Sequence, residues 1–177
     1  MVDIVSSDPN SPEFKRLHEV LGRALTTWQG VEARLYDIFC HMVGCLDEDV
    51  RSAIFYSPRD FSEKLKCTHN VVRFAVKDES LREEWTSLRK RMIDASQIRN
   101  CMAHFTLIRA TDFDATGDAT LSELQLKANF LDATLTFKQR DVKTIDKLNA
   151  DEIVQHTDIF VEIIGDAKKF LEKTRQP

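Results

Sequence analysis

The sequence predicts a mainly α-helical protein: a helical bundle of four to five helices, with a small antiparallel β meander inserted before the last helix. In the long segments, apolar residues recur at alternating steps of four and three, which is the periodicity of a packed helix face. Between residues 105 and 140, apolar and polar residues alternate in two stretches, as they do in strands. A composition of 42% hydrophobic and 31% charged residues is typical of a globular chain.

The 177 residues are expected to form one helical domain, from residue 12 to residue 177, behind a loose N-terminus of residues 1–11. The four cysteines are irregularly spaced, so we interpret them as reduced packing thiols and expect no metal and no cofactor. No apolar run is long enough to span a membrane, and the first eight residues lack the features of a signal peptide. These observations favour a cytoplasmic protein. A net charge of −4 argues against a broadly basic nucleic-acid binder.

The first helix is predicted from Pro12, which suits a first helical turn, to about Val43, where Gly44 ends it. Its apolar seam consists of Leu21, Leu25, Trp28, Leu35, Phe39 and Met42. Glu32 occupies one further position of that series. Because a carboxylate in an apolar stripe is costly unless it is paired, Glu32 needs a cationic or hydrogen-bonding partner.

Two shorter helices are predicted next. The first follows Asp47, carries Val50, Ala53 and Ile54, and is broken by Pro58. The second is capped by Asp60 and has one face formed by Phe61, Leu65, Val72 and Val76. His69 lies near that face, and we interpret it as a hydrogen-bonded core histidine.

After residue 105 the period changes to that of strands. Strands are predicted at residues 124–130 and 134–138, and a third at 106–110, which is joined to the others through the turn-rich stretch 112–118. The last helix is predicted to begin near Asn149. Its apolar face consists of Ile153, Phe160, Ile163, Ile164, Ala167, Phe170 and Leu171.

The fourth helix, from about Leu81 to His104, ends in the pattern Arg99-Asn100-x-x-x-His104. Its seam consists of Leu81, Trp85, Leu88, Met92, Ala95, Arg99 and Met102. Arg99 therefore falls on an apolar seam, as Glu32 does. Two interpretations stay open: a buried Glu32–Arg99 ion pair that only sets helix register, or two seams that open into a polar cleft.

This pattern suits phosphate-ester chemistry. On an ideal helix Asn100 and His104 are neighbours, whereas Arg99 and His104 are about 140° apart and can border one cleft without pairing directly. Histidine transfers protons near neutral pH, and arginine holds phosphate oxygens with a forked pair of charged hydrogen bonds. Arg99 and His104 are the candidate catalytic residues, with Asn100 and Glu32 in support.

A helical bundle with this motif on a late helix resembles the HEPN superfamily, whose recurring motif is arginine, a polar residue, three variable residues and histidine. The resemblance implies a metal-independent endoribonuclease that dimerises so that two motifs face each other across one cleft. In that arrangement, His104 would move the proton of a ribose 2′-hydroxyl or of the leaving oxygen. Arg99 would stabilise charge on the phosphate, and Asn100 would orient the histidine or the RNA backbone. The role of Glu32 as the residue that orients Arg99 is inferred from the matching seams and not from the family.

The resemblance also implies other roles. Several HEPN proteins are toxins restrained by a nucleotidyltransferase antitoxin, which here would be a separate chain. Other members are non-catalytic interaction modules, and for this chain the motif would then be a polar anchor in a homodimer interface. A nucleotide-binding regulator, in which Arg99 holds a mononucleotide phosphate, is a third alternative.

Overall fold

The computed structural model describes residues 10–44, 46–104, 106–108, 111–113, 119–121, 125–127 and 147–175. Within them the protein is mainly α-helical, as predicted. The helices are α1 (Pro12–Val43), α2 (Glu48–Tyr56), α3 (Phe61–Ala75), α4 (Glu79–His104) and α5 (Ala150–Thr174). The chain forms two compact units, which we call the first unit (Met1–Leu25 and Ile98–Thr157) and the second unit (Thr26–Gln97 and Asp158–Pro177). Residues of α1, α4 and α5 belong to both.

The second unit is a helical bundle with an aromatic centre. The ring of Trp28 meets Phe61 at 4.7 Å and Phe160 at 5.2 Å, both edge-on. Other residues of this core are Val31, Leu35, Ile38, Phe39, Phe55, Leu65, Val72, Trp85, Leu88, Met92, Ile163, Ala167 and Phe170. The predicted cap of α3 is confirmed, since Asp60 Oδ1 accepts a hydrogen bond from Glu63 N at 2.8 Å. These apolar contacts are the main stabilising term of the unit.

The structure corrects the position of Glu32 in the predicted seam of α1, and it shows which residue of α2 is buried. In α1 the buried position is Val31, which is fully buried, and Glu32 lies beside the seam with a partly exposed side chain. In α2 the buried residue is Phe55, whereas Val50 and Ile54 are 46% and 41% exposed. A helix of nine residues has too few turns for its period to show which face turns inward, and the larger aromatic ring is the one that is buried.

In the first unit, α1 and α5 begin with well-formed caps. Ser11 Oγ accepts from Phe14 N at 3.2 Å, directly before the predicted start of α1. Asn149 and Glu152 form a reciprocal capping pair at the start of α5, with backbone-to-side-chain distances of 2.8 and 2.9 Å. Buried residues of this unit are Leu17, Ala24, Cys101, Met102, Leu126, Leu148, Ala150 and Ile153.

The first unit also contains short strands: β1 (Thr106–Ile108), β2 (Thr111–Phe113), β3 (Ala119–Leu121), β4 (Gln125–Lys127) and β5 (Lys147–Leu148). They form two antiparallel sheets, one with the order β1-β4-β5 and one of β2 with β3. In a meander, consecutive strands are neighbours, but here β1 pairs with β4, so the predicted meander is not seen among the described residues. Asp112 and Phe113 are predicted to lie in the turn, but they belong to β2 and pair with β3.

Some predictions concern residues outside the described ranges. These are the strand at 134–138 and most of the loose N-terminus, residues 1–9. Within the ranges that are described, no helix combines the length and the hydropathy that a membrane crossing needs.

Candidate functional site

The motif residues lie on the last turns of α4, in the first unit. Cys101 and Met102 are 7% and 2% exposed and anchor these turns in the core of that unit. Arg99 is half-buried, whereas Asn100 and His104 are exposed. The buried pair therefore leaves the polar residues of the motif on the outer part of the helix.

Arg99 and Asn100 are joined by a hydrogen bond. The Nη1 atom of Arg99 donates to Oδ1 of Asn100 at 3.0 Å. Adjacent residues on a helix do not face each other, so the long arginine side chain must bend along the helix to reach the amide. A guanidinium carries five N–H donors, and this bond uses one of them. The sequence pattern placed the two residues side by side but did not predict this contact.

His104 is the last residue of α4 and lies where the final helix carbonyls lack intrahelical partners. Among the described residues His104 makes no hydrogen bond and no ion pair, so its ring is accessible for proton transfer. The same position also fits a purely structural role at the helix end.

Glu32 lies on α1 in the second unit, and its predicted need for a cationic partner is confirmed. Lys64 Nζ is 3.9 Å from Glu32 Oε2, and the lysine side chain is 11% exposed. The same ammonium group lies 5.8 Å from the ring centre of Phe55 and 5.3 Å from that of Tyr56. Cation–π contacts of this kind stabilise a partly desolvated lysine. The predicted role of Glu32 toward Arg99 stays a prediction.

Arg89, Lys90 and Arg91 form a basic stretch on α4. Acidic residues nearby make it less positive than three cations in a row would indicate. The guanidinium of Arg91 donates to Asp166 at 2.5 Å and to Glu162 at 3.1 Å. Its hydrogen bond lowers the pKa of the Asp166 carboxyl, so this aspartate stays ionised well below neutral pH. Two carboxylates thus neutralise one of the cations of the stretch.

Two interpretations of other polar groups can be compared with the structure. His69 is a hydrogen-bonded histidine as predicted, since its Nδ1 accepts from Trp85 Nε1 at 3.0 Å. Cys40, Cys67 and Cys101 are free thiols, and burial raises the pKa of Cys101. Within the described part of the chain, no three histidine, cysteine or acidic side chains are grouped as metal ligands would be.

Comparisons with known proteins add no relative to this picture. No protein-family model matches the chain, and no curated protein and no solved structure is significantly similar to it. The function proposed below therefore rests on the motif and on the positions of its residues.

Proposed function

We propose that the chain is a HEPN-like, homodimeric endoribonuclease of the cytoplasm that cleaves RNA without a metal ion. The observation that carries the proposal is the arginine–asparagine–histidine set at the end of α4. There, His104 is exposed and Arg99 is partly buried and bonded to Asn100. An exposed imidazole and a guanidinium on the same helix end are the two kinds of group that transesterification of a phosphodiester needs.

In the proposed reaction, the ribose 2′-oxygen attacks the adjacent phosphorus and the bond to the 5′-oxygen breaks. One His104 removes the proton of the 2′-hydroxyl, and the leaving 5′-oxygen receives a proton from the His104 of the second subunit. Arg99 donates to the phosphate oxygens, on which negative charge increases in the transition state. The products are a 2′,3′-cyclic phosphate and a 5′-hydroxyl. The reaction therefore consumes no reactant other than the RNA.

The proposal is tested by incubating the purified protein with a mixed RNA pool in EDTA and mapping the new ends. We expect ends with cyclic phosphate and 5′-hydroxyl groups, and a rate that falls by about 10²–10⁴-fold in His104→Ala, because general acid–base catalysis contributes that much. His18→Ala is the matched control, since His18 is also an exposed helix histidine. Equal cleavage by the wild type and His104→Ala, or none by either, would contradict the enzyme proposal.

A non-catalytic interaction module is the second candidate. It is favoured by the partial burial of Arg99 and its bond to Asn100, as expected of a polar anchor. In this case Arg99→Ala lowers the thermal stability and the oligomeric mass while the wild type leaves RNA intact. An unchanged mass and stability in Arg99→Ala would exclude this candidate. A separate antitoxin chain as a partner belongs to the nuclease proposal and is tested by co-purification with the active protein.

A further inference from the structure

A second polar site lies in the second unit. Its residues, between His69 and Thr86, precede the motif in the sequence. A cleft of about 300 Å³ is lined by residues of α3 and α4 only: His69, Val72, Arg73, Arg82, Trp85 and Thr86. Its volume is at the lower end of the range of small-molecule sites. None of these six residues is acidic, in a chain whose net charge is −4.

The hydrogen bond to Trp85 defines the tautomer of His69. An indole N–H can only donate, so Nδ1 of His69 must be the acceptor and carries no proton. The neutral ring therefore has its proton on Nε2, which is left as a donor. Burial, followed by the charges of Arg89 and Arg73, lowers the pKa of His69, so the ring is neutral at pH 7. His69 thus offers one N–H group and no competing acceptor.

Arg82 is held in place by the C-terminal end of α3. Its Nε donates to the carbonyl of Val76 at 2.8 Å and its Nη2 to the carbonyl of Arg73 at 3.4 Å. Glu79 lies 3.7 Å from Nη1, but its side chain is 80% exposed, so water screens this pair. The anchored guanidinium keeps further N–H groups on both terminal nitrogens. Thr86 does not add a donor, because its hydroxyl donates to the carbonyl of Arg82 at 2.8 Å.

Two more guanidinium groups contribute positive charge here. Arg73 is exposed on the cleft wall and, among the described residues, makes no ion pair. Arg89 acts on His69 electrostatically, and its buried Nε has no hydrogen-bond partner within the described part of the chain. A buried donor without a partner is costly. Three guanidinium groups, those of Arg73, Arg82 and Arg89, thus lie on the cleft or act on His69.

We propose that this cleft binds the phosphoryl group of a phosphate monoester. Arg73 and Arg82 approach it from two helices and His69 adds a neutral donor, which suits an oxyanion with three free oxygens. A monoester carries a charge of about −1.5 to −2 at pH 7, so it gains more from paired guanidinium groups than a diester does. The site is separate from Arg99 and His104 and does not depend on RNA cleavage.

The proposal is tested by titrating the full chain with inorganic phosphate and with 5′-AMP, at an ionic strength held constant with sodium chloride, while the ring signals of His69 are followed by NMR. We expect a saturable shift. Adenosine should give none, because the phosphoryl group is the part that binds. No saturable shift with either phosphate probe would overturn the proposal.

Two variants and a control separate a site from general attraction to a positive surface. Arg73→Gln removes one exposed cation, and we expect about five- to tenfold weaker binding, as for a lost charge-assisted hydrogen bond. His69→Asn keeps an acceptor for Trp85 but removes the Nε2 donor, so binding, followed by calorimetry, should also weaken. Arg59→Gln is the control, because Arg59 is exposed and lies outside the cleft. Equal weakening by Arg59→Gln, or a shift of the His69 ring signals at lower concentrations of an RNA oligonucleotide that lacks a terminal phosphate, would contradict a monoester site.

Discussion

At Gly30 in the second unit, an added methyl group would meet the side chain of Ile164 on another helix. A Cβ atom there would lie 2.8 Å from Cδ1 and 3.6 Å from Cγ1 of Ile164 on α5. Alanine is favoured over glycine in a helix by about 1 kcal/mol, but overpacking costs about 1–3 kcal/mol. Glycine at position 30 therefore leaves room for the side chain of Ile164, and this offsets the lower helix propensity of glycine.

We expect Gly30→Ala to change the free energy of unfolding little, because the added Cβ meets the flexible end of the Ile164 side chain, whereas Gly22→Ala should raise it by about 0.5–1 kcal/mol. Gly22 is the matched control, since nothing lies within 4 Å of its added Cβ. Ile164→Val removes the Cδ1 atom, so Gly30→Ala should be more favourable in that background. Urea denaturation of the four variants, including the double variant, measures these values. Equal stabilisation by both alanine substitutions would show that the end of the Ile164 side chain moves aside at no cost.

Two histidines are expected to make the stability depend on pH below about 6.5. Burial is the main cause that lowers the pKa of both His69 and His156, and the charge of Glu152 opposes it at His156. An unfolded histidine binds its proton near pH 6.5, and the folded ones bind it at lower pH. Between the pKa of the folded histidine and that of the unfolded one, the unfolded chain holds more protons, so the free energy of unfolding rises with pH.

We therefore expect stability to be lost as the pH falls from about 6.5 through the lower pKa values of the folded histidines. Denaturation midpoints at pH 7, 6 and 5 measure the slope. His69→Asn, which keeps an acceptor for Trp85, should reduce that slope, and NMR titration should give the pKa of each histidine. A slope that is unchanged in His69→Asn would contradict the contribution assigned to this residue.

At the scale of single helices, the side chains that precede them determine where they begin. Asp60 accepts from Glu63 N at 2.8 Å and from Ser62 Oγ at 2.7 Å, and these bonds lower the pKa of its carboxyl. A carboxylate at this end also interacts favourably with the helix dipole. The cap thus satisfies donors that α3 itself cannot pair.

We expect Asp60→Ala to lower the free energy of unfolding by about 1 kcal/mol at pH 7. Asp60→Asn should lose less, because an amide oxygen can still accept from the backbone and only the charge is removed. Urea denaturation of both variants measures the difference. Equal losses in the two variants would mean that charge, and not the hydrogen bond, dominates the cap.

Local signals such as these explain which parts of the fold the sequence predicts well. The ends of α1 and α3 follow from Pro12, Gly44 and Asp60, whose effects act within one turn. Gly44 indeed has a φ of 62°, a conformation that glycine adopts at little cost. The buried face of α2 and the pairing of β1 with β4 depend on contacts between residues that are distant in sequence. The periodicity within one element carries no information about such contacts.

The same distinction applies to the candidate site. The spacing of Arg99, Asn100 and His104 places all three at the end of one helix, and α4 indeed ends at His104. The hydrogen bond from Arg99 to Asn100 depends on side-chain rotamers, and the partner of Glu32, Lys64, comes from another helix. The cleft around His69 needs both α3 and α4 in place, so no short motif predicts it.

At the scale of the whole molecule, the proposed nuclease needs two copies of the chain. One chain carries a single Arg99 and a single His104, which are about 140° apart on an ideal helix. One histidine cannot act as base and acid at the same time, so the proposed reaction uses the second copy for the other proton. The active species is therefore expected to be a homodimer, which light scattering after size-exclusion chromatography measures.

A mixed dimer tests directly whether two subunits share one site. Wild-type chains and chains that carry both Arg99→Ala and His104→Ala, co-expressed with different tags, form mixed dimers in which one subunit has an intact motif. If the site is shared, purified mixed dimers should lose far more than half of the wild-type rate, because only one of the two histidines that the reaction uses is left. A wild-type/His18→Ala mixed dimer, which changes only a surface histidine, should keep full activity. If the mixed dimers keep about half of the wild-type rate, each subunit acts alone and the shared cleft is excluded.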